Sequence, residues 1–218
     1  SLHNVNTSYL DKGWAFVIWL YHEPNDAQYK PQLISLIESE DKCIIITCST
    51  TQLVVNHKGD EYDTLATIDI AILPRQWVLI SIEYIPDDVK PGSFIVASCN
   101  CANPKKITLP KFVWRKKSII CSIGGLPSDS ISVCYGSRFG NFAFFTSLTE
   151  AHLMAIYEAG PRIDPPPFDK TILYAHTTLK KNELAYETVE SNHGVTMTYN
   201  YSNKETLVSL SEVLGQMC

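Results

Sequence analysis

"GNFAFFTSLTEAHLMAIYEAGP", from Gly140 to Pro161, changes its hydrophobic period part-way along. Asn141-Phe142-Ala143-Phe144-Phe145 reads as a strand, whereas Leu153, Met154, Ile156 and Tyr157 recur at helical spacing. The helix ends are marked. Thr149 stands as N-cap between Leu148 and Leu153, the two positions of a hydrophobic staple, and Gly160-Pro161 supplies the stop. A single short amphipathic helix following a strand is expected to lie on a sheet and cover apolar surface that the sheet leaves open.

Upstream, the chain is a series of strand signals. Gly13 to Tyr21 is apolar on both parities, as a strand covered on both faces would be, and stops at Glu23-Pro24-Asn25-Asp26. Gln32 to Ile37 ends at Glu38-Ser39-Glu40-Asp41, which reads as a solvated turn, and Lys42 to Thr47 resumes with β-branched residues, at hairpin spacing. Leu53-Val54-Val55 and Thr67 to Ile70 continue the series around the polar stretch His57 to Asp63. Trp77 to Tyr84, Ser93 to Ser98 and Lys117 to Ile123 complete it. Short strands joined by turns, with almost no helical period, indicate an all-β antiparallel sandwich or barrel. After Arg162 the composition shifts. Asp164-Pro165-Pro166-Pro167 is a stiff connector, Thr171 to Val189 tolerates helix, Gly194 to Tyr199 reads as a strand, and Lys204 to Met217 sets Leu207, Leu210, Val213 and Leu214 on one helical face. The expected division is residues 1–165 as the sandwich and 166–218 as a mixed or helical flanking segment leading toward a helical region.

With 218 residues, 45% apolar and 19% charged, the chain buries a real core and is neither disordered nor fibrous. A formal charge of −5 argues against a general nucleic-acid binder. The cysteines at 43, 48, 99, 101, 121, 134 and 218 are odd in number and mostly sit in apolar runs, which reads as reduced thiols in a cytosolic protein. The longest apolar run, Trp14 to Tyr21, is far short of the roughly 20 residues of a membrane helix. No signal peptide is visible, and a chain that opens on Ser1 and stops mid-pattern at Cys218 reads as a fragment of something longer.

Four local patterns stand in a fixed order: Gly13-Trp14-Ala15-Phe16-Val17-Ile18-Trp19-Leu20, Trp77-x-Leu79-Ile80-x-Ile82-x-Tyr84, Ile123-Gly124-Gly125, and the opening stretch from Gly140 to Pro161. The series resembles the concanavalin A-like, laminin-G-like sandwich. Its last piece, closed by Tyr157-Glu158-Ala159-Gly160-Pro161, is most similar to the version embedded in BEACH-domain proteins of the beige and neurobeachin type. The resemblance implies a jelly roll of two antiparallel sheets with one short helix. It also implies a large cytosolic scaffold concerned with vesicle traffic, autophagy or protein sorting, peripheral on membranes, with residues beyond 165 leading into a helical-repeat region of the same chain.

Sandwiches of this shape include glycoside hydrolases, which need two carboxylates flanking a sugar bond. They usually carry alternating acids on one strand, and no such strand exists here; no enzyme is expected. Lectins of the shape hold calcium through clustered oxygen ligands. Asp60, Glu61 and Asp63 form the densest acidic cluster beside Asp87-Asp88, and an exposed acidic loop explains them better than a calcium site does. Cys99-Asn100-Cys101 lacks the second paired motif of a structural zinc site. The histidines are scattered, and Asn6-Thr7-Ser8 and Asn200-Tyr201-Ser202 match the glycosylation sequon at about the frequency of chance. No metal or cofactor is expected. A lectin domain remains the alternative and a glycoside hydrolase the last choice.

The segment from Asn103 to Ser128 holds no acid and six basic residues, Lys105, Lys106, Lys111, Arg115, Lys116 and Lys117, so it carries +6 against −11 for the remainder. Phe112 and Trp114 lie within it. Cations interleaved with aromatics suit an anionic membrane surface, an acidic protein or, less directly, an oligosaccharide, and these six residues with Trp114 are the candidate partner site. The bland alternative is that Phe112 and Trp114, which share a parity, face the core and the lysines form a solvated edge that discourages strand-to-strand aggregation.

Overall fold

In a computed structural model of the chain, residues 2–23, 32–87, 92–124, 138–161, 171–180, 183–191 and 196–197 are described. The strand Trp14–Tyr21 (β2) is buried at every position, because each face meets a different layer. Trp14, Phe16, Ile18 and Leu20 enter the main core, whereas Ala15, Val17 and Trp19 enter a second, smaller cluster. Continuous hydrophobicity follows from that double cover.

Two antiparallel sheets carry the layers. The first holds β1 (Leu2–Asn6), β3 (Gln32–Ser39), β4 (Lys42–Cys48), β5 (Gln52–Lys58), β6 (Asp63–Asp69), β10 (Ser118–Ile123) and β14 (Thr196–Met197), in the order β14-β1-β10-β3-β4-β5-β6. The second holds β2, β7 (Trp77–Asp87), β8 (Gly92–Cys99), β9 (Ala102–Leu109), β11 (Arg138–Phe145), β12 (Thr171–Lys180) and β13 (Glu183–Ser191), in the order β13-β12-β11-β2-β7-β8-β9. Period-2 patterning sets the inner faces. Ile34 and Leu36 stand opposite Ile46 and Ile44, and Val55 and Leu53 continue the same rows inward. At the lateral margin, β6 of the first sheet lies beside β9 of the second.

Two helices complete the described chain. The short α1 (Thr7–Leu10) is capped by Asn6, whose side chain accepts from the Ser8 N–H, and it buries Leu10. The second, α2 (Glu150–Ala159), is the lid expected from the period change. It covers the outer face of β11, β2 and β7, with Ile156 buried against Ala15, Val17, Trp19, Leu79, Ala143 and Phe145, and Tyr157 stacked on Trp19 at 6.0 Å. Leu148 and Leu153 both pack on this cluster, as a staple requires. Thr149 Oγ1 accepts from the His152 N–H at 3.2 Å, and Gly160 ends the helix at φ +78°, a conformation that favours glycine. Among the described residues no helix is long and apolar enough to cross a membrane.

The structure departs from the sequence expectation within residues 171–189, at Glu38 and His57, and at β1 and β9. Residues 171–180 and 183–189 are strand and not helix: β12 pairs with β11 and β13 pairs with β12, so the second sheet extends past residue 165. The run Thr-Ile-Leu-Tyr-Ala-His-Thr-Thr from Thr171 is β-branched enough to take the ladder that β11 offers. The helix expected over Lys204–Met217 lies outside the described residues. Glu38 belongs to β3 and is buried, and His57 belongs to β5 and is buried, although each reads as polar turn in sequence. The strands β1 and β9 were not anticipated, since Ala102-Asn103-Pro104-Lys105-Lys106 has no apolar alternation.

Replacing Thr149 by Ala removes the cap of α2 while leaving the staple in place. The expected loss is about 1 kcal/mol of unfolding free energy, read as a lower urea midpoint with an unchanged m-value.

Candidate functional site

Residues 110–117 form a strap that leaves β9, at the margin of the second sheet, and enters β10 inside the first. Its side chains alternate. Phe112 and Trp114 are 3% and 8% exposed and stack into the end of the core, their ring centroids 4.3 Å apart, while Lys111, Val113 and Arg115 face outward. The strap is tied down along its length. Tyr62 Oη donates to the Lys111 carbonyl at 3.3 Å, and the Phe112 N–H donates to Tyr84 Oη at 3.0 Å. Thr7 bonds the Lys116 and Lys117 carbonyls through its hydroxyl and its N–H.

The strongest tie is Glu38. Its buried carboxylate accepts from the Arg115 N–H at 3.0 and 3.2 Å and from the Lys116 N–H at 2.9 Å. Lys116 Nζ returns a bond to the Glu38 carbonyl at 2.7 Å. Successive N–H groups converging on one anion make charge-assisted hydrogen bonds, the strong kind. Lys42, itself buried, stands 3.9 Å from the Glu38 carboxylate and 2.9 Å from Asp60. Arg115 also reaches Asp60, at 3.0 Å. The hydrogen bond from Lys42, helped by Arg115, holds the Asp60 carboxyl below the usual range.

Beneath the strap lies His57. It is 0% exposed, stacked on Tyr62 at 5.0 Å and edge-on to Phe112 at 5.3 Å, and among the described residues neither ring nitrogen has a hydrogen-bond partner. Burial lowers its pKa from 6.5 to about 4, so it is neutral at pH 7.

The structure distributes the six predicted cations over two places. Lys105 and Lys106 lie on β9 opposite Ala97 and Val96, hence on opposite faces of the sheet. Lys106 Nζ sits 3.5 Å above the Phe94 ring. Lys111, Arg115, Lys116 and Lys117 line the strap. Asp60 pairs with Arg115 and the Lys116 ammonium bonds the Glu38 main-chain carbonyl, whereas Lys105, Lys111, Lys116 and Lys117 make no ion pair among the described residues. Trp114 is a correction: its ring belongs to the core and is not presented to a partner, because the parity it shares with Phe112 points inward. The outward apolar residue is Val113, 59% exposed and flanked by the strap cations. Sequence reading missed it together with Glu38, Lys42 and His57. The alternation Leu53, Val55, His57 was the available signal for the last.

Elsewhere the chemistry is sparse. Glu83, on the outer face of β7, has its carboxyl raised by burial, but its cross-strand neighbours are Ala15 and Val96, so no second carboxylate faces it across the ladder. Among the described residues no group of three or more His, Cys, Asp or Glu side chains is placed to hold a metal. Burial pushes the Cys99 and Cys121 thiols up to about 11 and about 12, which makes them poor metal ligands and poor nucleophiles. Cys134, Cys218 and Asn200 lie outside the described residues.

Among solved structures, the chain is similar to tailspike protein 2 of the Escherichia coli O157:H7 bacteriophage CAB120, with a TM-score of 0.51 and 10% identity over 76% of this chain and 24% of that one. The fold is that of the concanavalin A-like sandwiches. Lower likenesses link it to domains LG4-5 of the mouse laminin alpha1 chain (TM-score 0.44, 12% identity, 66% of this chain and 38% of that one). A SAP-like pentraxin of Limulus polyphemus scores 0.45 with 9% identity, over 89% of this chain and 86% of that one. The chain thus spans well under half of the tailspike and laminin chains it matches. At these identities each likeness is one of fold. No protein-family model matches the chain, and no curated protein matches it.

Two measurements check the strap. Glu38→Ala strands two backbone N–H groups and is expected to cost roughly 2–4 kcal/mol, with trypsin cutting faster at Arg115, Lys116 and Lys117. His57 contributes through its neutral form. Because its folded pKa of about 4 lies below its ordinary value of 6.5, the stability it permits is complete above pH 6.5 and lost as pH falls toward 4, by on the order of 3 kcal/mol. His57→Phe keeps an aromatic ring in the slot and should flatten the urea midpoint between pH 4.5 and 6.5.

Proposed function

We propose that the chain is a non-catalytic binding module that docks on an anionic membrane surface through the outer side of the strap. The observation that carries this reading is Val113, an exposed aliphatic tip among Lys111, Arg115, Lys116 and Lys117, on a segment whose backbone is held rigid by Glu38. Each Lys or Arg near an anionic leaflet contributes about 1 kcal/mol, and a small apolar tip adds burial at the headgroup boundary. Attraction of this kind weakens with salt.

The motif from Gly140 to Pro161 supports placing the module in a large cytosolic scaffold of the BEACH type concerned with vesicle traffic, autophagy or protein sorting. In that setting the chain beyond Pro167 joins the sandwich through β12 and β13 and then leads toward neighbouring helical repeats. A peripheral, cytoplasmic location follows from the same reading. A protein or oligosaccharide partner would use the same rim without the apolar tip.

Co-sedimentation with phosphatidylserine-containing vesicles, against pure phosphatidylcholine vesicles, tests the proposal. The parent is expected to bind the anionic vesicles, and Lys111→Glu with Lys117→Glu to weaken binding at least about tenfold. Equal binding to both vesicle types, or no loss in the double variant, would falsify it. Chelation-sensitive binding on a glycan array would instead favour the lectin reading.

A further inference from the structure

We infer that two copies of this chain pair side by side, β6 of each copy adding antiparallel to β9 of the other. The inference does not rest on the membrane reading. Among the described residues both strands are terminal in their sheets: β6 bonds to β5 and β9 bonds to β8, and no other described strand pairs with the second ladder edge of either. Open edges are templates for pairing. Here the two lie together on one flank of the sandwich.

Their charges are opposite. The strand β6 carries Asp63, which pairs with Lys58 of its own copy at 3.4 Å, and Asp69, and no basic residue, whereas β9 carries Lys105 and Lys106 and no acid. Every residue of β9 from Ala102 to Lys106 is exposed, and on β6 Leu65 is 72% exposed. Lysine on an edge ordinarily blocks pairing with a like strand, and that holds here for β9 against β9 and for β6 against β6. What the charges leave open is β6 against β9.

The chain direction permits it. Tyr62 Oη bonds the Lys111 carbonyl, so the start of β6 and the end of β9 lie at the same end of the sandwich and the strands run oppositely. A two-fold axis running along the strands at this flank exchanges the two layers and keeps their direction. It sets each β6 against the partner's β9, antiparallel, and joins the first sheet of one copy to the second sheet of the other. A two-fold axis across the strands would instead oppose Asp to Asp and Lys to Lys. The favoured arrangement is isologous and closed, so it stops at two copies. Pro104 offers no N–H and removes one rung, which Leu65 offsets by burying its side chain. Both straps then emerge at the same end of the pair.

Sedimentation velocity of the 218-residue chain, over a concentration series at low and high salt, reads the outcome. The parent is expected to dimerise more weakly at high salt. Lys105→Glu with Lys106→Glu, and separately Asp63→Lys with Asp69→Lys, should each raise the dimer dissociation constant at least about tenfold. An equimolar mixture of the two variants should recover it, because each reversed edge then meets its complement. Circular dichroism melts establish that both variants are folded. A monomeric parent, a dimer indifferent to either reversal, or a mixture that fails to recover overturns the inference.

Discussion

A buried carboxylate closes this sandwich. The chain must cross from the margin of the second sheet to the interior of the first, and residues 110–117 make that crossing over the end of the core. Backbone that spans a core end exposes N–H groups that neither sheet satisfies. Glu38 accepts two of them in succession, and only because it is held there do Phe112 and Trp114 reach inward to fill the end of the core. The burial of Glu38 is tolerable because Lys42 and the two amides surround it. Removing one of these partners leaves the buried charge less well compensated.

The same anchoring explains how the charge is arranged. The basic segment is not a free cationic patch. Its middle is tied down, Arg115 by an ion pair to Asp60 and Lys116 by a bond from its ammonium to the Glu38 main-chain carbonyl, and those ties fix the strap. The unmatched cations are displaced outward, to Lys111 and Lys117 on the strap and to Lys105 on the marginal strand. One sequence feature thus divides into a structural half and an exposed half. The division follows from which acidic turn each cation meets in space.

Much of the architecture was legible in the chain. The doubly covered β2 appears as an apolar run on both parities, and α2 appears as a change of period with its cap, staple and stop in place. Both signals are local, because a strand or a helix displays its periodicity within a few residues. The strand β9 was hidden for the opposite reason. An exposed marginal strand needs no apolar alternation, so Pro104, Lys105 and Lys106 conceal it. For β12 and β13 the local preference was indecisive, and the waiting edge of β11 decided it.

Of the candidate site, the sequence alone determined the cluster of cations and the shared parity of Phe112 and Trp114; the exposed Val113 emerged only from the structure. Tertiary structure decided everything that depends on partners distant in the chain. Glu38 lies 77 residues before the Arg115 amide it binds, so no local pattern marks it as an anchor. His57 is polar by composition, yet it is buried because Tyr62 and Phe112 close over it from two other segments. Periodicity reports which face a residue takes. What waits on that face is set by long-range packing, and charge and hydrogen bonding follow from it.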